Sequence, residues 1–170
     1  MSFFSRLFGT QPDPKEEVRP LWHAVVREAR EPKYYAEMGA ADTIEGRFDM
    51  ITAILAPVIL RLEANKDLIR HSALLTELFV EDMDGQLRES GVGDPVISKH
   101  MGKLVSAMGG RIGAFRDALA GKRELSDVVD KNVTLSEGTD PALLAAGLRQ
   151  FSDHLSGLSD DQVLAGDIAA

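Results

Sequence analysis

The stretch from Phe79 to Asp94 combines several carboxylates with three glycines, a composition that could bind a divalent cation. A calcium loop of the EF-hand type needs oxygen ligands at positions one, three, five and twelve and a glycine at position six. If Gly85 is that glycine, Val80 stands at position one and Gly91 at position twelve, so the two strongest ligands are absent. The stretch therefore does not predict a calcium loop.

Acid/base chemistry by the same carboxylates is not excluded by their spacing. A hydrolase that uses the acidic cluster 81–94, with or without a metal ion, therefore stays as an alternative. On a helix, however, Glu81, Asp82 and Glu89 lie away from the apolar face, and Asp84 stands four residues before Arg88 as in a surface ion pair. A transition-metal site would also need imidazole or thiolate ligands, but the chain has no Cys and its four histidines are far apart.

Glycines beside arginines form a second pattern, found at Gly46-Arg47 and at Gly109-Gly110-Arg111, with Gly85 as a further glycine inside a helix. Each glycine in a helix interior costs roughly 0.5–1 kcal/mol relative to alanine. We therefore expect either close approach of two backbones or room for a partner at these positions. If Arg47 or Arg111 is buried, it needs a carboxylate partner, for which Asp82 or Asp84 is the natural candidate.

Composition and charge restrict the class of protein. A chain of 170 residues that is 44% hydrophobic can bury one sizeable core. The net charge of −8 and an acidic C-terminal third offer no cationic surface, which argues against direct nucleic-acid binding. The longest apolar run, residues 51–60, is about half as long as a membrane span requires. The absence of Cys and of a recognisable secretory signal fits a cytoplasmic location.

The elements that must position these residues are helices. Apolar residues recur at helical spacing over 16–30, from Ile44 to Leu62, over 67–89, and after the Asp-Pro starts at Asp94 and Asp140, with no period-two alternation. We predict an all-α, single-domain bundle of about five to seven helices. Pro57 should kink or divide the second of them. The predicted domain organisation is an N-terminal amphipathic segment and linker (1–15), a helical domain (16–166) and a C-terminal tail (167–170).

The N-terminal segment carries Phe3, Phe4, Leu7 and Phe8 on one face of a short helix, separated from the domain by a Gly- and Pro-containing linker. One interpretation is peripheral contact with a membrane or a partner. The alternative is a terminus that is frayed or packs back on the domain.

Four pieces of the sequence resemble the ubiquinol–cytochrome c chaperone family: REPKYYAEMGAADTIEGRFDMI, LFVEDMDGQLRESGVGD, SKHMGKLVSAMGGRIGAFRDAL and a closing acidic, leucine-rich helix. The resemblance covers about residues 21–166. The family's motifs fall on Tyr35, Gly39, Asp42, Thr43, Gly46, Arg47 and Phe48, on Asp82, Met83, Asp84, Leu87, Arg88, Glu89, Gly91, Val92, Gly93 and Asp94, and on Gly110, Arg111 and Phe115.

The resemblance implies a non-enzymatic assembly factor, without a cofactor, that helps cytochrome b mature into the ubiquinol–cytochrome c reductase. It also implies a protein client, a small helical co-chaperone and, for a bacterial-type member, work on the cytoplasmic side of the inner membrane. The chain departs from the family pattern at Ala53-Ile54, where members often have Leu-His, and at Gly109, where they have Tyr. Roles that depend on that His or Tyr are therefore not expected here.

On this basis we expect charged motif residues to form one polar surface or pocket beside an apolar groove for the client. The alternatives are that these charges only lock helices together, or that the chain is a helical scaffold for another client. The candidate partner-binding residues are Tyr35, Asp42, Thr43, Gly46, Arg47, Asp82, Asp84, Arg88, Glu89, Gly91, Gly93, Asp94 and Arg111.

Overall fold

The computed structural model describes residues 13–89 and 94–170, and describes the backbone alone for Leu87, for residues 94–102 and for Leu104 and Val105. These residues form a single helical domain without strands, which confirms the all-α prediction. Two 3₁₀ turns, Pro14–Glu17 and Lys66–Leu68, accompany its helices. Within the described ranges the α-helices are α1 (Arg19–Glu28), α2 (Pro32–Ala36), α3 (Ile44–Glu63), α4 (Ile69–Glu89), α5 (Asp94–Leu119), α6 (Leu125–Asn132), α7 (Pro141–Gly157) and α8 (Asp160–Ala165).

The central element is α3, which packs against α1, α4, α5 and α7. Every residue from 49 to 59 is buried, so this part of α3 is covered on all sides. A helix that is apolar around its whole circumference belongs in the middle of a bundle, because each of its faces needs a neighbour. The helix continues through Pro57, so Pro57 does not divide it, and the kink that we predicted as the other alternative stays a prediction. Burial on both sides of the proline outweighs the cost of the hydrogen bond that it removes.

Hydrogen bonds from two arginine side chains connect the ends of outer helices to neighbouring helices. Arg61, near the end of α3, donates to the carbonyls of Leu155 and Leu158 at 3.1 and 2.7 Å, and to the Asp160 carboxylate at 2.8 Å. These carbonyls lie at the end of α7, where the regular helical hydrogen bonding stops, and the Leu155 carbonyl also accepts from Leu158 N at 3.2 Å. Arg149 of α7 donates in the same way to two carbonyls at the end of α5. Beyond α8, Ile168 is buried in the core.

One position of the predicted apolar stripe departs from expectation. Ile44 was predicted to face the core, yet 85% of it is exposed. It is the first residue of α3 and precedes the buried portion of the helix, so the stripe starts before there is a neighbour to cover it. Ile44 therefore presents an apolar side chain to solvent at the start of α3.

Candidate functional site

An open cleft of ≈ 410 Å³ lies where the end of α1, helix α2 and the first turns of α3 meet. Three of the predicted site residues, Tyr35, Asp42 and Arg47, line it together. The structure thus brings together residues that are up to twelve positions apart in the sequence. Among the described residues, the lining consists of Arg30, Pro32, Tyr35, Ala36, Asp42 and Arg47.

The wall of this cleft is formed by Tyr35, whose orientation is fixed by a hydrogen bond. Its hydroxyl donates to the backbone carbonyl of Ala29 at 2.7 Å. Partial burial raises the pKa of Tyr35 above its ordinary value, so the phenol stays neutral and keeps donating at physiological pH. The ring is therefore a fixed apolar surface with its polar end already satisfied.

Asp42 and Arg47 form the charged rim of the cleft. The Arg47 Nε donates to Asp42 Oδ1 at 2.6 Å, and both side chains are about 60% exposed. The guanidinium holds the pKa of Asp42 below its usual range. The bond uses Nε, and in the part of the chain that the structure describes no further hydrogen bond engages the terminal nitrogens of Arg47. Because such an exposed pair adds little to stability, its charges are available for recognition.

Thr43 and Gly46 position this rim instead of lining it. The Thr43 hydroxyl accepts a hydrogen bond from Gly46 N at 3.1 Å and thereby caps α3. A Cβ at Gly46 would overlap the carbonyl oxygen of Ala41, so only glycine lets the preceding loop cross the helix this closely. The loop is also held from outside, because Ala41 N donates to the carbonyl of Thr134 at 2.9 Å.

Arg111 has a different partner from the one that we expected. Its Nη1 donates to Asp49 Oδ1 at 2.8 Å, while the other oxygen of Asp49 accepts from the backbone and hydroxyl of Thr134 at 3.0 and 2.7 Å. The prediction that Asp82 or Asp84 pairs with Arg47 or Arg111 is wrong. Asp49 is the first residue of the buried part of α3 and faces α5, whereas the α4 carboxylates face outward.

The predicted site residues on α4 do not reach the cleft. Asp84 pairs with Arg88 at 2.7 Å, Gln86 lies 3.4 Å from Asp82, and Glu89 is exposed. Gly91 and Gly93 lie outside the described residues, as do Phe3, Phe4, Leu7 and Phe8, and of Asp94 only the backbone is described, as the start of α5.

The acidic cluster of α4 resembles a solvated helix face. Glu81 forms an ion pair with Lys15, and Asp84 with Arg88, so both are neutralised by surface cations. Within residues 13–89 and 94–170, as far as side chains are described, no three His, Cys, Asp or Glu residues are grouped so that they could hold a metal ion. No observation on these residues favours the hydrolase alternative.

The four glycines that the sequence pattern singled out are of two kinds. Gly46 is a close backbone approach, whereas a Cβ at Gly85, Gly109 or Gly110 would meet open space. The expectation of close approach is therefore right at Gly46 alone, and the other three positions leave room on the surfaces of α4 and α5.

Sequence reasoning missed four residues that shape the site, namely Arg30, Ile44, Asp49 and Thr134. Asp49 carried a readable signal, since it is a charge next to the long apolar run of residues 50–60. A charge in that position must find partners inside the bundle. Thr134 carried no such signal, because its contact spans 85 residues of sequence.

Comparison with known proteins bears on this site directly. The family model described as ubiquinol-cytochrome C chaperone matches residues 36–170, which is most of the chain. The chain belongs to the ubiquinol–cytochrome c chaperone family. A solved structure, the Cbp3 homolog from Brucella abortus, is similar over 91% of this chain and 88% of that one, with 29% sequence identity and a TM-score of 0.77. A comparison with curated proteins gave no significant match.

Membership in the chaperone family confirms the resemblance that the motifs indicated, and it is consistent with the role of an assembly factor that is not an enzyme. The matched region begins at Ala36, so it includes Asp42 and Arg47 on one side of the cleft. Among the helices that the structure describes, none is both long enough and apolar enough to cross a membrane.

Proposed function

We propose that this protein is an assembly factor that binds a segment of cytochrome b while that subunit matures into the ubiquinol–cytochrome c reductase. The observation that carries the proposal is the cleft at Tyr35, Asp42 and Arg47, of which Asp42 and Arg47 lie in the region that matches the chaperone family. Its polar rim and apolar wall suit a polypeptide segment better than a small metabolite, because the cleft is open and its charges are exposed.

Within this proposal the predicted residues divide into two roles. Tyr35, Asp42 and Arg47 contact the client, whereas Thr43 and Gly46 hold the rim in place. The outward face of α4 is a second contact surface, either for the client or for a small helical co-chaperone. It carries Asp82, Asp84, Arg88 and Glu89. Gly91, Gly93 and Asp94 stay predicted partner-binding residues. Arg111 acts from within the fold, through Asp49.

The proposed place of action is the cytoplasmic face of the inner membrane. A membrane-protein client requires the chaperone to work near the bilayer, and the predicted apolar face of Phe3, Phe4, Leu7 and Phe8 would supply a peripheral contact there.

The experiment is gene deletion followed by complementation. We expect the deletion strain to lose the cytochrome b absorbance of its membranes, the unaltered gene to restore it, and Arg47→Glu to restore it poorly. Arg88→Glu, an exposed charge reversal on α4, separates the two surfaces: it should restore assembly if the cleft alone holds the client. Normal cytochrome b in the deletion strain would contradict the proposed client.

A further inference from the structure

The cleft at Tyr35 and Arg47 has a distinctive balance of charge. Among the residues that the structure describes, two guanidinium groups, Arg30 and Arg47, line it against a single carboxylate, Asp42. The acidic residues nearest in sequence, Glu31, Glu37 and Glu45, do not line it. In a chain whose net charge is −8, the cleft is therefore a local cationic site, and its field favours an anionic group.

Asp42 engages only part of the Arg47 guanidinium. Their hydrogen bond joins one nitrogen to one oxygen, Nε to Oδ1. A guanidinium presents five N–H donors and binds a carboxylate best through two parallel bonds. The terminal nitrogens of Arg47 can therefore donate to a second carboxylate while Nε keeps its bond to Asp42. Arg30 has no ion pair among the described residues and is exposed at the same cleft.

An apolar anchor lies next to this charge. Ile44 is 85% exposed, and it stands three residues before Arg47 on α3. Residues at i and i+3 are neighbours on a helix surface, so Ile44 and Arg47 present a methyl-rich contact and a cation side by side. Within the cleft, Pro32, Tyr35 and Ala36 continue the apolar lining.

The backbone under these residues is held by contacts within the domain itself. Tyr35 is fixed by its bond to Ala29, the loop is pinned to Thr134, and Gly46 packs against Ala41. A partner then gains from the contacts without a large cost for ordering the site.

We infer that the cleft selects a client segment in which a Glu or Asp side chain lies within one helical turn of an aliphatic one. The carboxylate binds Arg47 and Arg30, and the aliphatic chain covers Ile44. This inference rests on the proposed function, whose client it describes chemically. A polypeptide is favoured over an anionic lipid surface because a chain of net charge −8 is repelled by such a surface outside this cleft.

The test uses the purified full chain and two fluorescent model peptides of equal length, built from Leu, Ala and Ser. One carries two Glu residues near its leucines, and the other carries Gln at the same positions. We expect fluorescence anisotropy to show the Glu peptide binding about tenfold more tightly, as one charge-assisted bidentate contact provides. Arg47→Gln should remove this preference, Arg30→Gln should reduce it, and Ile44→Ser should weaken both peptides about equally.

The matched control is Arg116→Gln, which removes an exposed arginine from α5 and should leave the preference unchanged. Arg47 and Ile44 are mostly exposed, so their variants are expected to fold, which circular dichroism verifies. Equal affinity of the two peptides, or a preference that survives both Arg47→Gln and Arg30→Gln, would overturn the inference.

Two further measurements address other occupants of the cleft. Co-sedimentation with vesicles rich in anionic phosphatidylglycerol that depends on Arg47 would overturn the peptide assignment in favour of a lipid headgroup. Concentration-dependent self-association that Arg47→Gln abolishes would do so in favour of a second copy. Neither readout depends on cytochrome b, so failure of the inference and failure of the complementation experiment are distinguishable.

Discussion

Arg111 on α5 and Asp49 on α3 are joined by a hydrogen bond of 2.8 Å from Nη1 to Oδ1, and this ion pair lies directly behind the loop that forms the cleft. The second oxygen of Asp49 is held by Thr134, which also holds that loop by accepting from Ala41 N. The buried carboxylate of Asp49 therefore connects the central helix α3, helix α5 and the rim of the candidate site.

Replacing Asp49 should be costly. Asp49→Asn keeps the shape of the side chain, but it places an amide N–H against donors and leaves Arg111 without its counter-charge. We expect a loss of about 2–4 kcal/mol in the free energy of unfolding, as for a largely buried pair that loses one partner. Urea denaturation followed by circular dichroism measures it. The matched control is Asp84→Asn in the exposed pair with Arg88, expected to change stability by less than about 0.5 kcal/mol. Similar losses in both variants would contradict the conclusion that Asp49 connects α3, α5 and the rim.

Two glycine substitutions should have opposite effects. Gly46→Ala forces the start of α3 away from the carbonyl of Ala41 and should destabilise the fold by about 1–3 kcal/mol, the usual cost of overpacking. Gly110→Ala adds a methyl group into open space within α5 and should stabilise by about 0.5–1 kcal/mol through helix propensity. Thermal unfolding of the two variants distinguishes them. A stabilising Gly46→Ala would show that the loop yields easily.

Both tyrosines of the chain should resist ionisation while the protein is folded. Burial, followed by the hydrogen bond to Glu28, raises the pKa of Tyr34, and burial also raises that of Tyr35. Because the folded state retains the phenolic proton, stability is full below the ordinary pKa of 10.0 and falls as the pH rises above it. For Tyr34 the slope is at most about 1.4 kcal/mol per pH unit.

An alkaline titration tests this expectation through two signals recorded together, phenolate absorbance and helical circular dichroism. Phenolate should appear only as helicity is lost, and Tyr34→Phe should flatten the decline of stability above pH 10.0. Phenolate that forms near that pH in a fully helical protein would show that the tyrosines are accessible.

Replacing Arg61 should loosen the C-terminal end of the domain, because this side chain makes several hydrogen bonds there. Arg61→Ala removes bonds to the carbonyls of Leu155 and Leu158 at the end of α7, together with the ion pair to Asp160. We expect hydrogen exchange in α8 to accelerate and the free energy of unfolding to fall by about 2 kcal/mol. Arg116→Ala, which removes an exposed pair with Glu63, is the control and should leave α8 protected.

Long elements were predictable from sequence because their apolar periodicity extends over many turns. The start of α5 at Asp94 and that of α7 at Pro141, which Asp140 caps, follow the Asp-Pro signals that the sequence displays. The short helices α2 and α6 were not predicted, since five and eight residues give too few turns for a periodic pattern. Their positions depend on tertiary packing.

The candidate site was predictable in part, because some of its residues lie close together in the sequence. Tyr35, Asp42 and Arg47 are close in sequence and bracket a helix start, so their meeting is local. The partners of Arg47 and Arg111 were predicted wrongly, because an outward α4 carboxylate and a buried α3 carboxylate cannot be told apart by charge alone. Choosing Asp49 over Asp84 requires knowing which face of α3 meets α5.

The contact between Asp49 and Thr134 also sets an order of events during synthesis of the chain. The carboxylate is made 85 residues before the backbone that satisfies it, and the rim loop depends on the same distant residue. A nascent chain that ends before α6 therefore carries the residues of the cleft without the support that shapes them. If the cleft binds a client as proposed, that binding requires Thr134 to have emerged from the ribosome, which happens late in translation.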